Sequence, residues 1–457
     1  MKKLLKNGAL LICLGAVLMI SGCKDANSSS SRVAKENISA NTLPSSNSKT
    51  FITTQTGAVN FVKNIGENID IDDIFDELDD VADFDQIGSD LEEIGYESSY
   101  IENLAGIFTT AFENALTSNS INVNISEKPG KATDFPANYS LDIPQFDLKL
   151  NGNVDDVDEP RSGSAILELN ANATASADKF NLSIPVLKVN GKANLSTDAV
   201  KQALKADGNI DQQLSGEFSM GDGLKLNLGS FNNNFVVNGN YDGSKGSATA
   251  KLSDDISAVL EFDAAKSGIP SLPVKYLKSA LVIKGAADGT PAINSNSQVR
   301  GNLNYDYLIN SRTGFTFADN NGTGGKGIFD LALTLKGTYN LAEFSQLKDI
   351  ISDFTDELFS GAKLSKEEID AKNLPFDIKI SFKFYDDNNA ETLDMINIKS
   401  NYDFYSYIYD LLQTLDEDFE DLMYDLEDLI DDLNLDFDLY DYNDNSYDSY
   451  DWDSDWW

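Results

Sequence analysis

The sequence of 457 residues contains no histidine and only two cysteines, Cys13 and Cys23. Without histidine the chain cannot use a His general base, a Ser-His or Cys-His dyad, or a His-ligated zinc ion. Basic residues are also scarce, because 35 Lys and Arg stand against 75 Asp and Glu and the net charge is −40. Nucleic-acid binders neutralise phosphates with Lys and Arg, so we expect no nucleic-acid partner.

The first residues have the pattern of a secretory signal. Lys2, Lys3 and Lys6 form a basic start, and an apolar run follows over residues 9–20. This run is shorter than the roughly 20 residues that a membrane-spanning helix requires. The pattern therefore predicts a cleaved signal peptide and a location outside the cytoplasm.

The segment Met19-Ile20-Ser21-Gly22-Cys23 resembles the lipobox of bacterial lipoproteins. The resemblance implies that the signal peptide 1–22 is removed and that Cys23 carries a diacylglycerol and usually an N-acyl chain such as palmitate. The membrane is then the expected partner through Cys23, and two or more acyl chains make a stable anchor. Lys24, rather than Asp, follows the cysteine, which favours the outer membrane by the enterobacterial sorting rule.

The mature chain divides into segments of different composition. Residues 23–58 are rich in Ser, Asn and Thr and predict a flexible tether after the lipidated cysteine. Residues 59–117 have apolar residues at helical spacing and 16 Asp and Glu against one Lys, which predicts an acidic helical segment.

Residues 118–399 predict an antiparallel β body, because apolar and polar residues alternate in long runs. Short helices are expected at about 198–205 and 341–359. Glycines keep the phase of the alternation, as in the run Leu187, Val189, Gly191, Ala193 and Leu195. This favours glycines inside long strands over two-residue hairpin turns, although loops of three to five residues stay open as an alternative.

The C-terminal part combines a helical pattern with acidic charge. Residues 400–433 predict a long amphipathic helix, whose apolar stripe includes Leu411, Leu415, Phe419 and Leu422. Residues 434–457 predict an acidic aromatic tail of low complexity. The segment from residue 401 to 457 holds 20 Asp and Glu and no Lys or Arg.

Together these segments predict an α+β fold that is mainly antiparallel β. We expect a strongly curved sheet, as a half-barrel or sandwich, because glycines inside strands allow a sheet to bend sharply. The N-terminal helical segment and the long C-terminal helix complete the expected fold.

Two patterns could carry chemistry. The spacing of Asp319, Asn321, Thr323, Gly324 and Asp330 resembles a calcium-binding EF-hand loop, but Thr and Asp replace preferred ligands and the flanks predict strands. A Gly-rich hairpin loop is therefore the favoured interpretation. The acidic runs predict at most a weak, unspecific association with Ca²⁺, and no cofactor, metal site or catalytic residue is predicted.

Three hypotheses for the function stay open. The first is an envelope lipoprotein with a binding or structural role, acting on an envelope protein or polymer through its acidic aromatic tail. The second is a carrier that holds a lipid or other apolar ligand in a curved β-sheet. The third is a carboxylate-based hydrolase, which the sequence favours least because no pair of acids stands out.

Overall fold

The computed structural model describes 13 stretches of the chain. These are residues 38–59, 98–117, 120–154, 162–177, 180–198, 203–241, 245–293, 299–319, 321–340, 350, 353–354, 357 and 363–412. Strands account for 65% of the described residues and helices for 14%. The described part of the chain is therefore an almost all-β protein.

The helices in the described residues are short. Residues 55–59 are helical, and three further helices are α1 (Ser99–Ala115), α2 (Lys366–Ala371) and α3 (Asn401–Leu412). Helix α2 begins with a capping box, in which the Ser365 hydroxyl accepts a bond from the Glu368 N–H and the Glu368 carboxylate accepts one from the Ser365 N–H.

The strands belong to one sheet. They are β1 (Thr50–Phe51), β2 (Leu116–Thr117), β3 (Ser120–Glu127), β4 (Gly130–Lys131), β5 (Tyr139–Val154), β6 (Ser162–Ala177), β7 (Phe180–Asp198), β8 (Ala203–Met220), β9 (Leu224–Tyr241), β10 (Gly246–Asp263), β11 (Val274–Gly289), β12 (Ala292–Ile293), β13 (Val299–Arg300), β14 (Asn302–Ala318), β15 (Thr323–Asn340), β16 (Phe376–Tyr385) and β17 (Glu391–Ile398).

The long strands form an antiparallel meander. From one edge to the other their order is β3, β5, β6, β7, β8, β9, β10, β11, β14, β15, β16 and β17. Strand β1 adds the only parallel pairing of the described residues, beside the start of β15. The sheet is wide and open.

The predicted fold class is wrong in two respects. The structure has a wide open sheet in place of a half-barrel or sandwich, because bending glycines do not by themselves supply the strand stagger that closure requires. There is also no long C-terminal helix in the described residues. The part of the predicted helix 400–433 that they include is α3, of 12 residues, and residues 413–433 lie outside the described residues.

Two local predictions also differ from the structure. The expected helix at about 198–205 is replaced by strand residues at Asp198 and from Ala203 onward. The tether expected over 23–58 packs on the sheet from residue 38, where Ile38, Leu43 and Ile52 are buried. The prediction rested on the Ser and Asn content of the segment and overlooked these few apolar residues.

Prolines mark irregular points in β5 and β7, the two strands that flank β6. The ladder between β5 and β6 shifts register around Pro144, and the ladder between β7 and β8 shifts around Pro185. Proline has no N–H to donate, so a position inside a sheet is compatible with it only where the ladder is interrupted.

The alternation of the strands gives the sheet two different faces. Cross-strand neighbours place one apolar row over six adjacent strands: Leu150, Leu167, Gly191, Ile210, Phe235 and Leu252. We call this side the apolar face. The opposite side, the polar face, carries Lys, Asp, Asn and Ser, for example Lys284 paired with Asp255 at 2.7 Å.

The glycines that keep the phase lie inside strands, as predicted. Gly152, Gly191, Gly239, Gly285 and Gly337 fall within β5, β7, β9, β11 and β15. Gly285 is required by a close approach, because an added Cβ would lie 2.6 Å from the Tyr307 Cα of the adjacent strand β14.

Several elements cover the two ends of the apolar face. Helix α1 packs on β3 and β5 through Ile107, Phe108 and Ala111. At the other end, Ile52 and Ala58 pack on Phe317 and Phe384. Helices α2 and α3 contribute Ile369 and Tyr405 to a further cluster with Phe354 and Phe376.

The segment 38–58 holds one end of the sheet from both sides. Ile38 and Leu43 pack on the polar face against Ala280 and Ile328, whereas Ile52 packs on the apolar face. Between these two groups of contacts, the chain passes from the polar face to the apolar face through β1. The end formed by β11 and β14–β16 is therefore enclosed on both faces.

Candidate functional site: the uncovered apolar strip

The middle strands of the sheet leave large apolar side chains uncovered by other described residues. These side chains have relative exposures of 36–42% and all lie on the apolar face of β7–β10: Leu195, Leu204, Leu226, Phe235, Tyr241 and Leu260. We call this surface the apolar strip. The strip has two parts, Leu226 with Leu260 toward one end of the strands and the other four residues toward the opposite end. Exposed apolar residues that cluster on one face mark a binding site more often than scattered single residues do.

The strip results from the same alternation as the buried parts of the apolar face. Leu226 and Leu260 are cross-strand neighbours, as are Leu204 and Tyr241, so the ladders of β8–β10 form one pair in each part of the strip. Equivalent positions in β3 are covered by α1, where Val123 is 0% exposed. The strip and the covered part of β3 therefore have the same sequence pattern and differ in whether another element packs on them.

A polar row crosses the apolar face between the two parts of the strip. Gln212, Asn233 and Asp254 are cross-strand neighbours in β8, β9 and β10. Leu252 and Ile256 flank Asp254 on its own strand, and Gly285 lies opposite it in β11. A carboxylate among these neighbours is unexpected, because burying a charge is costly unless it is paired.

Asp254 is only 2% exposed. The side-chain amide of Asn233 donates a hydrogen bond to Oδ1 of Asp254. The other oxygen, Oδ2, is buried and has no hydrogen-bond partner among the described residues. Burial raises the pKa of the Asp254 carboxyl to about 6, although the hydrogen bond from Asn233 acts in the opposite direction.

The polar face carries a groove of about 850 Å³ across β5–β11. Hydroxyl and amide side chains line much of it, including Ser176, Ser183 and Asn227, and Ile38 contributes to one wall. Apolar residues also line it, Leu226 of the strip among them, so the groove is of mixed rather than polar character. It therefore differs from the apolar cavity that a carrier with a closed pocket would have.

Two carboxylates in the groove bear on the hydrolase hypothesis. Glu261 forms an ion pair with Lys278 at 2.9 Å, and Glu217 accepts a hydrogen bond from the Asn227 side chain at 2.6 Å. Burial raises the pKa of Glu261, but hydrogen bonds from Lys278 and Tyr276 outweigh it and leave the pKa below its usual value. Glu261 therefore does not have the raised pKa expected of a general acid.

The loop with EF-hand-like spacing is a hairpin loop between β14 and β15, which confirms the favoured interpretation. Oδ1 of Asp319 accepts hydrogen bonds from the N–H groups of Asn321 and Thr323 at 2.8 and 2.7 Å. Gly322 has a φ of +82°, as such turns require. Asp330 lies away in β15 and pairs with Arg312 at 3.2 Å.

The predicted lipid-attachment residue, Cys23, lies outside the described residues, as does the acidic aromatic tail 434–457. In the described stretches no group of three or more acidic or Cys residues is arranged to hold a metal ion. None of the helices described has the length and apolar character that a membrane crossing requires.

Comparisons of the chain with protein-family models, with curated proteins and with solved structures find no match. The site therefore has to be interpreted from its own residues.

Sequence reasoning missed the strip and the polar row. The sequence contains a signal for the row, since Asp254 stands at an apolar position of the alternation Leu252, Asp254, Ile256. The exposure of the strip has no such signal, because a covered and an uncovered apolar face have the same alternation.

Proposed function

We propose that the protein is a membrane-anchored envelope lipoprotein that binds an apolar or amphiphilic molecule on the apolar strip. The exposed side chains of the strip carry this proposal, and Leu226 and Tyr241 are the most exposed of them at 42%. Anchoring rests on the resemblance of residues 19–23 to a lipobox, and Lys24 after the cysteine favours the outer membrane.

Burial energy supports a ligand of this kind. Fully burying a large apolar side chain stabilises by about 2 kcal/mol, so covering the exposed fraction of the strip contributes about 5 kcal/mol. The strip extends along β9 from Leu226 to Tyr241, or about 50 Å, so an apolar chain laid on one of its two parts would realise a share of this gain without any hydrogen bond. The polar row beside the strip provides contacts for the polar end of an amphiphile.

Charge argues against the acidic parts of this chain as the occupant. The segment 401–457 holds 20 Asp and Glu without a basic residue, and the strip adjoins the buried carboxylate of Asp254. Bringing further anions next to a buried carboxylate is unfavourable. A neutral or cationic amphiphile has no such cost.

The experiment is native mass spectrometry of the mature chain with Cys23→Ser, purified without detergent from its host. We expect a fraction that carries one added lipid-sized mass. Leu226→Asp should lose this mass, because the new carboxylate lies in the strip.

Asn232→Asp is the matched control, since it adds the same charge on the polar face of the same strand, at an exposed position. It should retain the bound mass. If the Cys23→Ser chain without a further substitution carried no lipid, the proposal would be contradicted. The binding or structural role through the tail 434–457 would then be favoured. Deletion of that tail would then abolish capture of an envelope component.

A further inference from the structure

We infer that Asp254 and Asn233 form a head-group site for a cationic amphiphile, an apolar chain that ends in a primary ammonium group. The inference rests on the proposed function, because it assigns the polar end of the ligand whose chain occupies the apolar strip. It concerns a different contact, however, and it can fail while the strip still binds apolar chains.

The geometry supplies an acceptor that lacks a donor. Oδ1 of Asp254 is occupied by the Asn233 amide, whereas Oδ2 is buried without a partner among the described residues. A buried carboxylate is stabilised by a charged donor more than by a neutral one. An ammonium group has three N–H donors, one of which can bond Oδ2 while another reaches the amide oxygen of Gln212 or Asn233.

The position of Asp254 fits the end of a chain that lies on the strip. Asp254 pairs across the ladder with Asn233, and Phe235 of the strip is two residues along β9 from Asn233. Neighbouring strands are about 4.8 Å apart, and Phe235 pairs with Leu252, two residues from Asp254, so the carboxyl lies about 8 Å from this part of the strip, whereas Leu260 is six residues, or about 20 Å, further along β10. The chain can therefore reach the strip while its head remains at Asp254.

No described cation already fills this role. The adjacent Lys284 lies on the polar face and pairs with Asp255. Arg312 and Asp330 form their own pair on that face. Gly285, opposite Asp254 in β11, has no side chain with which to approach it.

The experiment compares two ligands with the same chain, dodecylamine and dodecyl methyl ether, in displacement of 1-N-phenylnaphthylamine from the mature chain with Cys23→Ser. Both titrations are done at pH 8 and high ionic strength, which screens the general attraction of cations to an acidic protein. We expect dodecylamine to bind at least about tenfold more tightly, as one charge-assisted hydrogen bond allows.

Asp254→Asn should abolish this preference and leave binding of the ether unchanged. Asp207→Asn, which removes an exposed carboxylate from the polar face of β8, should retain the preference. Equal affinity of the two ligands for the wild type, or a preference that survives Asp254→Asn, would overturn the head-group site while leaving the strip as the binding surface. If neither ligand displaced the probe, the proposed function would fail as well.

Discussion

The two ends of the sheet and its middle are built from the same alternating strands, yet they differ in what covers them. At one end, Phe317 is 0% exposed between Phe384 and the segment 38–58. In the middle, Phe235 occupies an equivalent apolar position and is 38% exposed. Alternation therefore fixes the two faces of the sheet, whereas the added segments decide which part of a face is core and which part is available to a ligand.

The largest expected effect comes from replacing Phe by Ala at the covered end of the sheet and in its uncovered middle. Phe317→Ala should lower the free energy of unfolding by about 4 kcal/mol, because it opens a cavity in a filled cluster. Phe235→Ala should cost about 1 kcal/mol, since the side chain is already partly in solvent. Urea denaturation measures both, and equal losses would show that the strip is as enclosed as the end of the sheet.

Asp254→Asn should act in the opposite direction and stabilise the protein. A carboxyl whose pKa rises to about 6 on folding binds its proton more tightly in the folded state, so its ionisation destabilises the fold as the pH rises. The variant should be more stable than the wild type by up to about 3 kcal/mol at pH 8, and the difference should vanish below about pH 4.

Thermal or urea unfolding at the two pH values measures this difference. A stability gap that is the same at both would mean that the Asp254 carboxyl does not change its proton affinity on folding.

Gly285→Ala should destabilise the sheet by about 2 kcal/mol, because the new Cβ would be forced against the backbone of β14. Gly239→Ala is the matched control, since its nearest backbone atom, the carbonyl oxygen of Ala206, is 3.7 Å away. The control should change stability by less than about 1 kcal/mol. Similar unfolding midpoints for the two variants would contradict the close approach of the β14 backbone to Gly285.

The smallest effect concerns the attachment of the segment 38–58. The Asp387 carboxylate accepts hydrogen bonds from the Ser46 N–H at 2.7 Å and the Ser45 hydroxyl at 2.8 Å. Asp387→Ala should cost about 1 kcal/mol and speed amide hydrogen exchange at Thr42 and Leu43, whose N–H groups are bonded within this segment.

Asp377→Ala is the control for this last variant, because Asp377 is partly exposed and pairs with Lys379 of the same strand, β16. It should leave exchange at residues 42–43 unchanged. Exchange that is unaffected by Asp387→Ala would mean that the apolar contacts of Ile38 and Leu43 hold the segment without help from this carboxylate.

Sequence reasoning predicts the strands better than it predicts their assembly. Period-two alternation correctly places Gly191 and Gly337 inside strands, because side-chain phase is a local property of an extended chain. Whether the sheet closes depends on strand stagger over the whole sheet, which no local pattern encodes. The buried anchors of the tether, such as Ile38, were missed because a few apolar residues in a Ser-rich segment have no period.

The candidate site was predicted only in outline. An apolar ligand on the β body was among the hypotheses, but neither Leu226 nor Asp254 was selected from the sequence. Exposure of Leu226 depends on the absence of a covering element over β9 and β10 in the described residues, which is a property of the assembled chain. Asp254 could have been noticed as an acid at an apolar position, since the flanking Leu252 and Ile256 fix the phase.

The most direct test of the account is the thiol reactivity of a cysteine placed in the strip. A chain of residues 23–457 with Cys23→Ser contains no thiol, so Leu226→Cys and Val123→Cys each provide a single probe on the apolar face. We predict that Cys at 226 reacts rapidly with a maleimide and becomes protected when dodecylamine is added, whereas Cys at 123 is protected throughout by α1. If Cys at 226 were as protected as Cys at 123 without any ligand, or if dodecylamine left its reactivity unchanged, the claim that the strip is an open ligand-binding surface would be contradicted.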